Sequence, residues 1–337
     1  MIVPSKTPEP RLILVDGFAG SGKSTTAQRL WIHLENNGYD AVWFHEHEPT
    51  HPIFHFSEVD ELPRLRCESF LEQIIANWEA LARNGEAGPT RILEGSLIQM
   101  PVGVMLSQNV SSRRIRAIVL KIAGLVKGLY PAVIYLHRAD ARAWFLQNAQ
   151  NRGEQWINRM MELLFHTPYG KRHGKHCAVR DVSVLIEFYR EQQIIVESVF
   201  PQLQLRKITI DIDLHQWEAS YRKMAALLKM GRLKPLTLKQ SQLLRYVGKF
   251  RGETTGTECR ITADAKSLYI HLPSADAAIR LLPVCSVTGE FCLQALPITI
   301  RFEYDGAEMV PRFTCDIRVV DRRLADVVWS RVPAQGC

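Results

Sequence analysis

The chain has 337 residues, 46% of them hydrophobic and 23% charged, with a net charge of +7. That length suits about two domains, and that balance excludes a disordered, collagenous or disulfide-stapled chain. Residues 241–337 carry 12 Lys and Arg against 11 Asp and Glu, so the basic excess lies in residues 1–240, where it suits an anionic small molecule and is too diffuse to argue for nucleic acid.

The first predicted strand is Arg11–Asp16. A loop follows, Gly17-Phe18-Ala19-Gly20-Ser21-Gly22-Lys23-Ser24-Thr25, and then a helix from about Lys23. Strand, G-x-x-x-x-G-K-S and helix in that order are the phosphate-binding P-loop in its required context. Its glycines allow a tight cup of inward N–H groups, and the helix start adds the positive end of a dipole. Residues Gly17 and Ala19 to Thr25 are the expected nucleotide-binding set. Lys23 is expected to pair the β- and γ-phosphates, and Ser24 to ligate Mg²⁺.

The helix places Ala27, Leu30, Trp31 and Leu34 on one face, and Asn36-Asn37-Gly38 stops it. Ala41–Phe44 reads as a strand covered on both faces. A helix follows over Glu68–Asn84, then strands at Arg91–Glu94, Ala132–His137 and Leu205–Asp211. Helices are expected near Arg142–Gln150, Val182–Phe200 and His215–Met230. Strands alternating with helices imply a parallel sheet with ligands at its carboxyl edge, where Asp16, Glu46, Glu48, Glu94 and His137 fall. After Gly231–Pro235 the pattern becomes short and alternating. Ile298, Ile300, Phe302 and Tyr304 point one way, Leu268, Ile270 and Leu272 repeat the period, and Asp305-Gly306 signals a hairpin. The expected organisation is an α/β P-loop domain over 1–235 and a small antiparallel β domain, barrel-like, over 241–337.

Seven cysteines are scattered without a C-x-x-C pair, which points to a reducing, cytoplasmic setting. Met1–Arg11 has no apolar signal-peptide core. Ile115–His137 is broken by Arg116, Lys121, Lys127 and Pro131, so it reads as a helix and a strand, with no membrane partner expected.

There is no N-K-x-D for guanine and no L-S-G-G-Q-like signature of transport ATPases. Residues 10–230 resemble the thymidylate kinase and deoxynucleoside kinase branch of P-loop kinases. The resemblance rests on the P-loop, on Glu48-Pro49 after the second strand, on Leu93-Glu94-Gly95-Ser96 after the third, and on Ile134-Tyr135-Leu136 followed by Asn151-Arg152-Gly153-Glu154. It implies a five-stranded parallel sheet, a mobile lid, and an ATP- or GTP- and Mg²⁺-dependent kinase acting on a small molecule, with nucleoside- and nucleotide-like acceptors first among the candidates. It implies Arg152 as the lid arginine and, with its location, Glu48 as the base; Glu46, two residues away on the same strand face, is the alternate base, and Arg159 and Arg172 are weaker lid candidates. Two departures stand out. Gly95 occupies the position of that branch's third-strand arginine, and His47 that of the arginine before its E-P pair.

Glu94 and Asp16 are expected at the metal, partly through water. His47, His51, Glu94, Arg113 and Arg114 are expected at the acceptor; a solvated helix face is the alternative for the arginines. His45, His47, His51 and His55 form one histidine cluster, and His173-x-x-His176-Cys177 another. Neither has a known zinc spacing. Residues 244–329 loosely resemble the small β domain appended to serine β-lactamase-like hydrolases, on Tyr246–Arg251, Leu281-Leu282-Pro283 and Phe302–Gly306. No S-x-x-K is present, so that likeness favours binding, a homodimer contact or a cover over catalysis. The rival reading is a P-loop ATPase or regulatory protein whose β domain binds a partner; a polynucleotide 5′-kinase is a third.

Overall fold

A computed structural model describes residues 10–54, 67–85, 88–174, 181–213, 215–231, 236–273, 277–285, 289–303, 309–317 and 328–332. Its described residues divide into two compact units. One gathers Met1–Ala27, Asp40–His47 and His51–Leu233; the other gathers Gln28–Tyr39, Glu48–Thr50 and Lys234–Cys337.

The first unit is built on five parallel strands, β1 Leu12–Gly17, β2 Ala41–Phe44, β3 Thr90–Glu94, β4 Ala132–His137 and β5 Arg206–Asp211, in the order β2-β3-β1-β4-β5. The register sets Val15 beside Glu94 and Asp16 beside Tyr135, so the carboxyl ends of the central strands share one edge. β1 is buried along its whole length, as a strand with helices on both faces requires. Leu12 and Leu14 enter the largest apolar cluster, with Trp78, Trp144, Phe145 and Val199.

α1 Lys23–Asn36, α2 Cys67–Asn84, α4 Ser112–Leu125 and α7 Val182–Val199 stand close to expectation. α3 Gln99–Ser107 was not foreseen. It is apolar all round, with Pro101, Val102, Val104, Met105 and Leu106 buried, so it carries no 3.6-residue stripe to read. α5 spans Ala141–Phe165, far beyond the expected Arg142–Gln150, and leaves helical geometry at Gly153 (φ 78°, ψ 176°). α6 Pro168–His173 and α8 Trp217–Leu227 complete the helices of this unit among the described residues.

In the second unit, the short α9 Gln240–Leu244 leads into eight strands. These are β6 Gly248–Gly252, β7 Glu258–Ala263, β8 Leu268–His271, β9 Ile279–Cys285, β10 Glu290–Leu293, β11 Ile298–Glu303, β12 Arg312–Ile317 and β13 Val328–Arg331. Each pairs antiparallel with the next, and β13 pairs with β6, so the sheet closes into a barrel and leaves no free edge. The interior is filled by Phe250, Phe291, Phe302, Phe313 and Trp329, with Phe313 and Trp329 stacked at 5.8 Å. At one end the Arg331 guanidinium lies over the Phe250 ring and donates to the carbonyls of Val310 and Val247 at 2.6 and 2.7 Å. The same unit contains buried Gln28, whose amide nitrogen donates to Leu293 O at 2.8 Å and whose oxygen accepts from Ala295 N at 2.9 Å. Ile32 packs there with Leu282, Val284 and Cys292. The hairpin expected at Asp305-Gly306 lies outside the described residues.

Candidate active site

The P-loop joins β1 to α1, and its lysine turns back into the unit. Lys23 is buried; its Nζ donates to Phe18 O at 3.2 Å and lies 3.6 Å from Glu46 Oε2. The Ser24 hydroxyl, at the start of α1, donates to Glu94 Oε1 at 3.3 Å. The same Glu94 oxygen accepts the Glu46 amide at 3.0 Å, and His45 Nε2 lies 3.3 Å from it. Two strand ends and one helix start thus bring buried Lys23 and Glu94 and half-buried Ser24 and Glu46 into one group.

Two carboxylates this close cannot both be at ease. Burial and the neighbouring Glu46 carboxylate push the Glu94 carboxyl well above the usual range, against the pull of Lys23. Burial alone would also raise Glu46, but the Lys23 ammonium and the flanking histidines outweigh it and hold that carboxyl below the usual range. Of the two, Glu94 has the higher proton affinity and Glu46 the lower. Glu94 Oε2, Gln99 Oε1 and Ser21 Oγ are buried without a hydrogen-bond partner, whereas Glu46 Oε2 has the Lys23 ammonium beside it. Buried oxygens left in that state await a donor or a cation.

Gly95 lies against the same group. It sits at φ +62°, and a Cβ there would lie 2.8 Å from Glu46 Oε2 and 3.2 Å from Gln99 Oε1. No side chain fits while Glu46 faces Lys23. A larger residue at position 95 would need Glu46 to move away from Lys23.

A cavity of about 230 Å³ opens beside this group. Its walls are Gln99, Gly103 and Ser107 at four-residue spacing on α3, with Met100 and Val104; Arg152, Trp156, Met160, Leu163 and Leu164 on α5; and Leu185, Phe188, Tyr189 and Gln192 on α7. Ala19, Glu46 and His47 close the end nearest the sheet. The Arg152 guanidinium lies over the Trp156 ring at 5.3 Å, just before the break at Gly153.

The other expected residues fall elsewhere. Asp16 is fully buried and receives the amides of Leu97, Ile98 and Gln99 at 3.2, 3.2 and 2.8 Å. Both its oxygens are used in capping α3, which has no local side-chain cap. A metal role would thus fall to Ser24 and Glu94. Glu48 is buried and accepts from Thr50 Oγ1 at 3.1 Å; the structure brings Glu46 to the cavity wall instead. His51 is a turn organiser: its Nδ1 accepts the amides of Ile53 and Phe54, and its Nε2 meets Ser96 Oγ at 3.2 Å. Arg114 forms a two-pronged surface pair with Glu68 at 2.8 and 2.6 Å, and Arg113 is exposed beside it; neither lines the cavity. His47 does line it, with Nε2 3.6 Å from Glu46 Oε1. His55, His176 and Cys177 lie outside the described residues. Among the described residues, no group of three or more His, Cys, Asp or Glu is arranged to hold a metal.

The expectation for Mg²⁺ is nonetheless compatible with this donor set. That ion takes one or two protein oxygens and completes its shell with water and phosphate. A serine hydroxyl facing a carboxylate with one orphaned oxygen suits such a demand.

No family profile matches the chain, and no curated protein matches it. Among solved structures it is similar to the YorR protein of Bacillus subtilis, solved with phosphorylated GDP, at 14% identity and TM-score 0.32, over 65% of this chain and 95% of that one. It is similar to the deoxyadenosine kinase of M. mycoides, solved with dATP, at 13% identity and TM-score 0.36, over 63% and 98%. It is also similar to the thymidylate kinase of Candida albicans, at 14% identity and TM-score 0.38, over 66% and 94%. No described helix is long and apolar enough to cross a membrane.

Proposed function

We propose that the chain is a phosphotransferase that moves the γ-phosphate of ATP or GTP to a hydroxyl of a small molecule held in the cavity. The observation that carries this reading is Lys23, from the phosphate loop, meeting Glu46, from the cavity wall, at 3.6 Å. The loop amides and Lys23 hold the donor phosphates, and Ser24 and Glu94 would hold Mg²⁺. The ion, when bound with the nucleotide, supplies charge neutralisation and alignment of the phosphates.

Glu46 is the base. Its low proton affinity depends on the Lys23 ammonium; once phosphate claims that ammonium, Glu46 becomes more basic at the moment a proton must be taken. The acceptor oxygen forms its bond to the γ-phosphorus, the bond to the bridging oxygen breaks, the diphosphate leaves, and the hydroxyl proton passes to Glu46. Arg152 stands across the cavity for the charge that spreads over the phosphoryl group.

Incubation with ATP, Mg²⁺ and a metabolite library tests this. Phosphorylated acceptor is the expected outcome, abolished by Lys23→Ala and reduced about 100-fold or more in kcat by Glu46→Gln. ATP loss with no phosphorylated product would favour a P-loop ATPase or regulatory protein instead.

A further inference from the structure

The outer face of the barrel carries many of its charges in cross-strand pairs. Arg251 stands directly opposite Glu258, Arg301 opposite Glu290, and Arg312 opposite Glu303. Each of these pairs is bonded, the first at 2.6 Å and the second at 3.3 Å. One row differs. Lys249 on β6 stands opposite Arg260 on β7, and Arg260 stands opposite His271 on β8. All three are exposed, and they alternate with buried Phe250, Ile261 and Ile270, so the row faces water. Glu258, two residues along β7 from Arg260, is held by Arg251, and among the described residues no acid pairs with any of the three.

Like charges directly opposite destabilise a ladder, and here they fall on two adjoining rungs. A bound anion would relieve them. Neighbouring strands lie about 4.8 Å apart, so the three side chains form a line about 10 Å long. A lone phosphate is too small to meet both ends of that line, whereas a chain of phosphates follows it. Thr262 Oγ1 lies 2.8 Å from His271 Nε2 and steadies the imidazole. Tyr269, half-buried and two residues before His271, shares its face. A ring beside a line of cations is the combination that single strands use, bases stacking while phosphates pair. Composition hides the row. Lys249, Arg260 and His271 stand eleven residues apart in a stretch with 12 Lys and Arg against 11 Asp and Glu, and only the ladder register brings them together.

We infer that the β6-β7-β8 face of the barrel binds the phosphate backbone of a single-stranded nucleic acid along Lys249, Arg260 and His271. This site stands apart from the phosphotransfer reading and does not depend on it.

Fluorescence anisotropy of the full chain with a labelled oligothymidylate of about ten nucleotides tests it. The logarithm of the binding constant falls against that of salt with a slope of about −1.4 to −2.1, for two or three phosphates. Arg260→Gln makes that slope shallower by about 0.7 and weakens binding about eightfold at about 50 mM salt. Its thermal melt does not fall, because the change relieves both like-charged rungs; an arginine with a merely structural role would lower it. Lys121→Gln, an equal loss of charge at an exposed site on α4, leaves the affinity unmoved. No binding at about 50 mM salt, an affinity indifferent to salt, wild-type binding by Arg260→Gln, a lowered melt in that variant, or equal weakening by Lys121→Gln overturns the inference. So does binding to phosphatidylserine vesicles without binding to the oligonucleotide, which would make the face a lipid-docking one.

Discussion

Gly95 and Asp16 show how single residues set this site. Gly95 is required twice, by its φ of +62° and by the 2.8 Å approach of Glu46 Oε2 to where a Cβ would stand. Gly95→Ala is expected to cost about 1–2 kcal/mol in backbone strain and to displace Glu46, so kcat falls more than stability does; steady-state kinetics beside a thermal melt separates the two. Burial lifts the Asp16 carboxyl from its ordinary 3.8 to about 6, against the pull of the Gln99, Ile98 and Leu97 amides and Lys23. The folded chain then holds that proton more tightly than the unfolded one. The stability Asp16 contributes is complete below pH 3.8 and is lost as pH rises through about 6. The expected fall is about 3 kcal/mol across that window. Asp16→Asn should flatten this stretch of the stability–pH curve; an unchanged slope in denaturant titrations would show that the proton sits elsewhere.

At the scale of elements, α3 was the hardest to foresee. A helix buried on all sides has no stripe, and α3 is capped by Asp16 from β1, some eighty residues upstream, so no local cap marks its start. Gln99, whose buried Oε1 has no hydrogen-bond partner, was missed with it. Trp156 and Met160 were missed because α5 runs past the Gly153 break, which resembled a loop with a lid arginine. Alternation in Ile298–Phe302 and Leu268–Leu272 showed the strands of the expected barrel-like domain, and eight strands close into its ring. Arg331 links the barrel's last strand to its first: it bonds Val310 O and Val247 O and covers Phe250. Arg331→Met should cost about 2 kcal/mol through the lost carbonyl bonds and ring contact. A chemical melt of the full chain that does not move would remove that role.

For the whole molecule, the division into units does not follow a single cut in the chain. Gln28–Tyr39 groups with the C-terminal unit, where Gln28 bonds Leu293 and Ala295 and Ile32 packs with Leu282 and Val284. A fragment ending at residue 240 would strip those partners from a buried amide and a buried isoleucine. Uncovering Ile32 costs about 1.5–3 kcal/mol, and orphaning Gln28 about 1–3 more. Such a fragment is expected to melt well below the full chain and to bind a dye specific for exposed apolar surface. A fragment as stable as its parent would show that this packing contributes nothing.

The sequence by itself determined the phosphate loop, the five strands and most of their helices, because each of these is a local matter: a glycine-lysine-serine spacing, an apolar run, a 3.6-residue stripe. It also brought Glu46 and Glu94 to strand ends. Only the tertiary structure decided that Glu46 rather than Glu48 meets Lys23, that Asp16 is a cap, and that Arg114 holds a surface glutamate. Those outcomes depend on which atoms come within about 3 Å across long stretches of chain, and side-chain direction at a strand end is fixed by packing, not by residue type.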